Sequence, residues 1–401
     1  MFLVDFRRHL QRINGDQLVS LIIPFIRHSL FRGFSAILSL VIFTIILNQF
    51  SESYSAKIFS FLFIFGFLIS STRLASQIYA NIEGSRRLSH RLSRALTGLF
   101  TQQALCLLIL PVVFIYLITL TENVYCSAFV TIVFFFSSWD LDLVRSSLGK
   151  TNIFPVLFSI GSVCAVLFLM TYPTRSLNVG IIAGAIQWLP VSIANFKLAK
   201  YLNRRNLALG LSQIQKSFGL LILSLFDGIV INTPFFGFVF LTVEQSIELS
   251  VIIRIFVSAL PFVPLILHLA NTPNFATVAS KYNTSTELLV MAFIFFSGLI
   301  VGFTFLIFLY FTSEIASLSY YFCGFLALLI GYSFYLSHAR FSSREHRKGT
   351  PLIVFTSFVI IVFQVILAVV LPSLNGFAIF YLVLSQVLCF FSVGIFLRTR
   401  Q

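Results

Sequence analysis

Apolar segments recur along the whole chain, each about 20 residues long, which is the length of helix that crosses a bilayer core. Short polar loops separate them. Each segment is continuously apolar rather than alternating, which argues against the strands of a membrane barrel. Charged residues make up 10% of the chain, whereas a soluble domain carries about 25%. The sequence therefore predicts an all-α polytopic membrane protein.

The chain has room for about twelve such helices, because it has 401 residues and short loops. The predicted spans are residues 29–47, 58–79, 98–120, 124–144, 153–170, 177–196, 217–241, 249–270, 288–311, 315–336, 351–371 and 377–397. The first span could begin as early as Leu18, with a break at Pro24.

The basic residues are distributed unevenly between alternate loops. With a cytoplasmic N-terminus, the outer loops hold only Lys57 and Arg175, and three arginines lie within spans (Arg32, Arg73 and Arg254). All the other lysines and arginines fall in inner segments, as the positive-inside rule requires. The pattern predicts an even number of spans with both termini in the cytoplasm. The net charge of +14 then indicates orientation and contact with anionic membrane lipids, not binding of nucleic acid.

A basic stretch at residues 197–216 divides the predicted spans into two six-helix halves, residues 1–196 and 217–401. Its apolar residues are sparse, so we interpret it as a cytoplasmic linker or a surface helix. Both halves start on the inner side, so a repeat would be parallel, related by an axis along the membrane normal. Transporters built this way place their site near mid-membrane between the halves.

Ionisable groups inside the spans are the candidate functional residues, because a charge at the bilayer centre costs about 2.5–3.5 kcal/mol on insertion scales. Asp227 lies near the middle of the seventh span. The arginines at 32, 73, 145 and 254 are candidate substrate-binding residues, because a guanidinium offers forked donors to phosphate oxygens. Asp227 and Asp142 are candidates for ion coupling or for a structural role.

Structural alternatives stay open for each of these residues. Arg32 and Arg73 lie close enough to the inner face for their side chains to reach the membrane surface. Asp142 and Arg145 are three residues apart on one helical face, where they could pair. Asp227 and Arg254 could pair across the short turn between the seventh and eighth spans.

No pattern of metal ligands or catalytic residues is present in the sequence. The five cysteines lie in or beside apolar runs without a C-x-x-C pair, and the six histidines are scattered. We therefore expect no metal, no cofactor and no enzymatic activity.

Three stretches resemble a known family. SLFDGIVINTPFFGFVFLTVEQSIELSVIIRIFVSALPFVPLIL (residues 224–267) has an aspartate in the seventh span, an aromatic turn, an arginine early in the eighth span and then a proline. LDLVRSSLGKTNIF and RHSLFRGFSAILSLV add a connection with Arg145 in place and a basic first helix. Together with the span count, these stretches resemble the O-antigen (Wzx-type) flippases of the multidrug/oligosaccharidyl-lipid/polysaccharide exporter superfamily.

The resemblance implies flipping of an undecaprenyl-pyrophosphate-linked oligosaccharide across the inner membrane of a bacterium. Arg32, Arg73 and Arg254 would attract pyrophosphate or acidic sugars, and Asp227 would couple an ion or hold an arginine. A polysaccharide polymerase and chain-length proteins would be the partners. The polar head needs a hydrated cationic path while the prenyl tail stays in lipid, so no covalent chemistry is required.

Two other classes of function stay open. An ion-coupled small-molecule or multidrug exporter would share the architecture, although export of cationic drugs predicts a more acidic cavity. A membrane enzyme of polysaccharide assembly, such as a polymerase or a glycosyltransferase, would need a large outer loop, and the predicted outer loops are only a few residues long. The loop NIEGSRRLSHRLSR lacks the G-x-x-x-D-[RK]-x-G pattern of major-facilitator transporters.

Overall fold

The computed structural model describes residues 15–81, 88–147 and 153–216, together with short stretches between residues 243 and 391. These residues are helical and contain no strand. The helices are α1 (Gly15–Gln49), α2 (Glu52–Asn81), α3 (Leu88–Thr121), α4 (Val124–Ser137), α5 (Leu141–Ser147), α6 (Phe154–Thr171), α7 (Leu177–Phe196), a 3-10 turn (Lys197–Tyr201) and α8 (Arg204–Lys216). A further short apolar helix covers Tyr321–Gly331.

Within the described residues, five helical stretches are long and apolar enough to cross a membrane: Glu52–Ile69, Ala95–Thr121, Val124–Arg145, Phe154–Thr171 and Leu177–Tyr201. The predicted fold class, an all-α polytopic membrane protein, is confirmed. The division at residues 197–216 stays a prediction, because most of the second half lies outside the described residues.

The predicted ends of the spans agree with the structure where the loop is polar and differ where helices extend past the bilayer. The sixth span matches α7, because Ser176 caps that helix by accepting a hydrogen bond from the Val179 amide. The first three helices are longer than predicted, and α1 runs unbroken through Pro24. The predicted break there is wrong, since a proline is tolerated in a membrane helix whose neighbours satisfy the freed carbonyl.

The fourth span differs most from its prediction. Instead of one helix over residues 124–144, the chain forms α4 and the short α5, separated at Ser138–Asp140. The apolar composition of the segment predicts its presence in the membrane, but not its continuity.

Helix α7 lies at the centre of the described bundle and packs against α2, α4 and α6. Helix α1 covers the outer side of α6, and α3 packs against α2, α4 and α5. The main core is a cluster of apolar side chains shared by α2, α3, α4 and α7: Phe61, Phe65, Ile69, Val113, Leu117, Cys126, Val130, Val133, Phe134, Ile181 and Ala185.

Small residues allow the backbones of neighbouring helices to approach closely, as is usual between membrane helices. A Cβ atom on Gly161 in α6 would lie 2.1 Å from the Gln187 carbonyl oxygen in α7. A Cβ on Gly180 in α7 would lie 2.2 Å from the Ile58 side chain of α2. The contacts of α7 with α6 and α2 therefore depend on the absence of a side chain at these two positions.

One face of α3 is apolar and exposed. Leu108, Val112 and Ile115 are 58%, 66% and 62% exposed, and their spacing places them on one side of the helix. In a membrane protein such a surface faces the lipid chains.

The segment predicted as a linker or surface helix forms the 3-10 turn and α8. Helix α8 packs along α3, where Gly210 lies against the Phe100 carbonyl and Ile214 packs against Leu105. Arg204 and Arg205, at its start, are exposed.

We expect Gly161→Ala to lower the free energy of unfolding by about 1–3 kcal/mol, because the added methyl group meets main-chain atoms that cannot rotate away. Gly66→Ala in α2 is the matched control, since a Cβ there meets nothing within 4 Å. Thermal unfolding of the purified protein in detergent measures both. Equal melting temperatures for the two variants would contradict the close α6–α7 contact.

Candidate functional site

The break in the fourth span is encoded by the residues at its position. The Ser138 hydroxyl donates to the Phe134 carbonyl one turn back, a bond that slightly destabilises a helix and often bends it. Asp140 then acts as the N-cap of α5, because its carboxylate accepts a hydrogen bond from the Leu143 amide at 3.2 Å. One helix therefore ends and another begins within the sequence SSWD.

Two main-chain amides at the break donate to side chains of other helices instead of to carbonyls of the preceding turn. In a continuous helix the amides of Asp140 and Leu141 would donate to the carbonyls of Phe136 and Ser137. Instead, the Asp140 amide donates to Gln102 Oε1 of α3 at 3.0 Å. The Leu141 amide donates to Asn195 Oδ1 of α7 at 3.3 Å.

The freed carbonyls are satisfied by a buried asparagine and an arginine. The Asn195 amide nitrogen donates to Phe136 O at 2.8 Å and to Trp139 O at 2.7 Å. Arg73 of α2 donates to Ser137 O from Nε at 3.1 Å and from Nη2 at 2.7 Å, and Nη2 also lies 3.2 Å from Trp139 O. A break inside a membrane is possible only when its backbone groups are satisfied in this way.

Aromatic rings flank the Arg73 guanidinium. Its central carbon lies 4.5 Å from the centre of the Phe154 ring in α6 and 5.8 Å from that of Trp188 in α7. Both distances are within the range of cation–π attraction. Arg73 thus contacts the break from one side and the start of the fifth span from the other.

Asp142 joins α5 to the start of α6. Its carboxylate accepts hydrogen bonds from the amide of Ile153 at 2.9 and 3.1 Å and from that of Phe154 at 2.8 Å. These are amides at the N-terminus of α6, where negative charge is favoured and where Pro155 occupies the first turn. Arg145 Nε lies 3.9 Å from Asp142 Oδ1, on the partly exposed side.

The charges in this cluster balance. Arg73 is attracted by the carboxylates of Asp140 and Asp142, and Arg145 pairs with Asp142. Two arginines and two aspartates give the cluster a formal charge of zero. Such an arrangement lowers the cost of placing charges at the edge of the membrane, because each has an opposite charge or a main-chain dipole beside it.

The structure brings together three of the residues predicted as site residues, Arg73, Arg145 and Asp142. Arg32 lies in α1, but its side chain is outside the described residues, as are Arg254 and Asp227. Sequence reasoning did not single out Gln102 and Asn195. The signal for them was a large amide side chain within an otherwise apolar span, which must find partners inside the protein.

Among the residues that the structure describes, no three His, Cys, Asp or Glu side chains converge in a way that could hold a metal ion.

Two solved structures resemble this one. The crystal structure of MATE in complex with MaL6 matches with a TM-score of 0.51 at 14% sequence identity, over 94% of this chain and 95% of the other. A MOP superfamily transporter from Pyrococcus furiosus gives a TM-score of 0.49 at 14% identity, with the same coverage. No family model and no curated protein matches the sequence.

The chain has the MATE fold. That fold has twelve membrane helices, the number that the sequence predicts. The protein is thus a multi-pass membrane protein. At this level of identity the match establishes the fold alone and leaves the substrate to be argued from the residues.

We expect Asp142→Ala to cost about 0.5–2 kcal/mol of stability, because the amides at the start of α6 lose their cap. Asp142→Asn keeps an acceptor oxygen and should cost less. Arg145→Ala removes the ion pair with Asp142 and should cost no more than about 1 kcal/mol, since the pair is long and partly exposed. Thermal unfolding in detergent distinguishes the three, and a cost for Arg145→Ala as large as that for Asp142→Ala would contradict the capping role.

Proposed function

We propose that this protein flips an undecaprenyl-pyrophosphate-linked oligosaccharide, such as an O-antigen or related repeat unit, across the bacterial inner membrane by alternating access. The observation that carries the proposal is the combination of the MATE fold with arginines inside the spans. Transporters built from two halves bind their substrate between the halves, and the predicted division at residues 197–216 would give this chain such a path. The arginines supply donors that match phosphate oxygens.

The cationic character of the path depends on residues outside the balanced cluster. Arg73 and Arg145 are offset by Asp140 and Asp142, so the surplus positive charge within the spans would come from Arg32 and Arg254. Arg73 is also engaged by the carbonyls of Ser137 and Trp139. We infer that Arg32 and Arg254 contact the pyrophosphate in the path, whereas Arg73 and Arg145 contribute little net charge to it.

Asp227 completes the proposal as an ion-coupling residue or as the partner of a path arginine. The substrate's prenyl tail would stay in lipid while its head crosses, so transport needs no covalent step, no cofactor and no catalytic residue. A polysaccharide polymerase and chain-length proteins would receive the flipped unit.

An ion-coupled exporter of small molecules is the second candidate, and the MATE fold favours it equally. The charge of the path separates the two. A path for cationic drugs would expose acids to the substrate, whereas Asp140 and Asp142 are engaged as helix caps.

We expect a strain that lacks this protein and any redundant flippase to accumulate lipid-linked oligosaccharide on the inner leaflet, as measured by a leaflet-accessibility assay. Arg254→Ala should slow flipping about tenfold or more, because the loss of a charge-assisted hydrogen bond costs about 1.5–3 kcal/mol. Arg254→Lys should retain part of the rate, since it keeps the charge but not the fork.

Arg175→Ala is the control, because Arg175 lies in a predicted outer turn, away from the proposed path. There it donates to the Leu169 carbonyl of α6. Protein levels of all variants are compared by immunoblotting. Delivery of the glycan at a normal rate in the deletion strain would overturn the flippase assignment. Unchanged flipping in Arg254→Ala and Asp227→Ala at normal protein level would remove these residues from the path.

A further inference from the structure

The break in the fourth span divides the inner end of the first half into two bodies. One body is α4, which packs against α7 and α3. The other is α5 with the start of α6, since three hydrogen bonds from the Ile153 and Phe154 amides hold the two helices together on Asp142. Asp140 caps α5 from within, so this second body carries its own N-terminal hydrogen bonds.

The bonds between the two bodies come from helices that belong to neither. Asn195 of α7 bonds to groups on both sides of the break: the Phe136 carbonyl in α4 and the Leu141 amide in α5. Arg73 of α2 donates to the last carbonyl of α4, at Ser137, and its guanidinium faces the Phe154 ring of α6. Gln102 of α3 holds the Asp140 amide at the joint itself.

The side-chain bonds at the break hinder rotation between α4 and α5 less than continuous helical bonds would. A continuous helix can kink sharply only by breaking main-chain bonds, and the freed groups have no water to bond to in lipid. Here the side chains already hold the groups at the joint, and long side chains such as Arg73 can follow a moving carbonyl. Rotation at Ser138–Asp140 would therefore lose side-chain bonds one at a time while the helical bonds within α4 and within α5 stay intact.

We propose that Ser138–Asp140 is a hinge, and that Arg73 and Asn195 are positioning residues that latch it. On release, α5 and the start of α6 swing as one body relative to α4. The role of this motion, opening and closing the inner end of the transport path, rests on the proposed function. The hinge itself does not, because it is argued from the contacts of the described residues.

The two tryptophans of the chain, Trp139 and Trp188, report on this hinge directly. Trp139 is at the joint and has 0% exposure, enclosed by the rings of Phe135 and Phe136. In a Trp188→Phe background, which keeps an aromatic ring beside Arg73, the fluorescence comes from Trp139 alone. Its quenching by acrylamide in the purified protein then measures how often the joint opens, without any substrate.

We expect Arg73→Gln and Asn195→Ala each to raise the population in which the joint is open by about threefold to tenfold. Acrylamide quenching of Trp139 should rise accordingly. Arg73→Lys keeps the charge but not the fork, so it should lie between the parent and Arg73→Gln. Because both side chains donate to the Trp139 carbonyl, the double variant should be non-additive. Arg175→Gln is the matched control: it removes an arginine that likewise donates to a helical carbonyl and faces an aromatic ring, Phe50, but far from the joint.

The variants also separate a latch from a purely stabilising contact. Size-exclusion chromatography identifies the variants that are folded. If Arg73→Gln does not fold, Asn195→Ala and Arg73→Lys still test the hinge. Quenching of Trp139 that stays at the parent value in these folded variants would overturn the hinge, as would an equal rise in Arg175→Gln.

The transport readout is independent of the fluorescence. Slower flipping in Asn195→Ala, which changes no charge, would support use of the hinge in transport. Raised quenching with normal flipping would retain the hinge but remove it from the transport cycle. If this protein transports a different substrate, the fluorescence result stays the same, because it needs no substrate. Failure of the proposed function and failure of the hinge are therefore distinguishable.

Discussion

A backbone amide or carbonyl that leaves a helix inside a bilayer has no water to bond to, and the inner end of this bundle is organised by that constraint. At Ser138–Asp140, the amides of Asp140 and Leu141 and the carbonyls of Phe136, Ser137 and Trp139 bond to side chains. These side chains, Gln102, Asn195 and Arg73, come from three different helices. The positions of α2, α3 and α7 around α4 are therefore fixed by polar bonds at this level as well as by apolar packing.

The same bonds explain how an arginine is accommodated among apolar helices. Arg73 donates to two carbonyl groups, lies against two aromatic rings and is attracted by two nearby carboxylates. Together these contacts replace most of the hydration that the guanidinium loses. An arginine in a membrane span thus has a structural use that its sequence context does not separate from substrate binding, and one side chain can serve both.

The elements of the fold could be predicted from the sequence because apolar length determines them. The prediction for residues 177–196 coincides with α7, where a serine cap and a short polar turn mark the start. The break in the fourth span escaped prediction for a physical reason. Average hydropathy over residues 124–144 is insensitive to where hydrogen bonds go, although the serines and the aspartate of SSWD are each typical of a helix end.

The partners of the break could not be predicted at all from one sequence. Gln102 is 38 residues from Asp140, and Asn195 is 54 residues from Leu141. Nothing in local pattern or charge spacing joins such distant positions. By contrast, Asp142 and Arg145 are near in sequence, and their proximity was readable from helical spacing.

The balance of charge at the break has a consequence for selectivity. A path for an anionic head needs surplus positive charge, and the cluster of Arg73, Arg145, Asp140 and Asp142 supplies none. Because Asp140 and Asp142 are committed as helix caps, they cannot be removed without loss of the joint that they organise. Under the proposed function, that surplus would have to come from Arg32 and Arg254, with Asp227 as their partner or as an ion-coupling residue. The break at the inner end of the first half would then serve the proposed motion, and recognition of the substrate would rest on other residues of the proposed path.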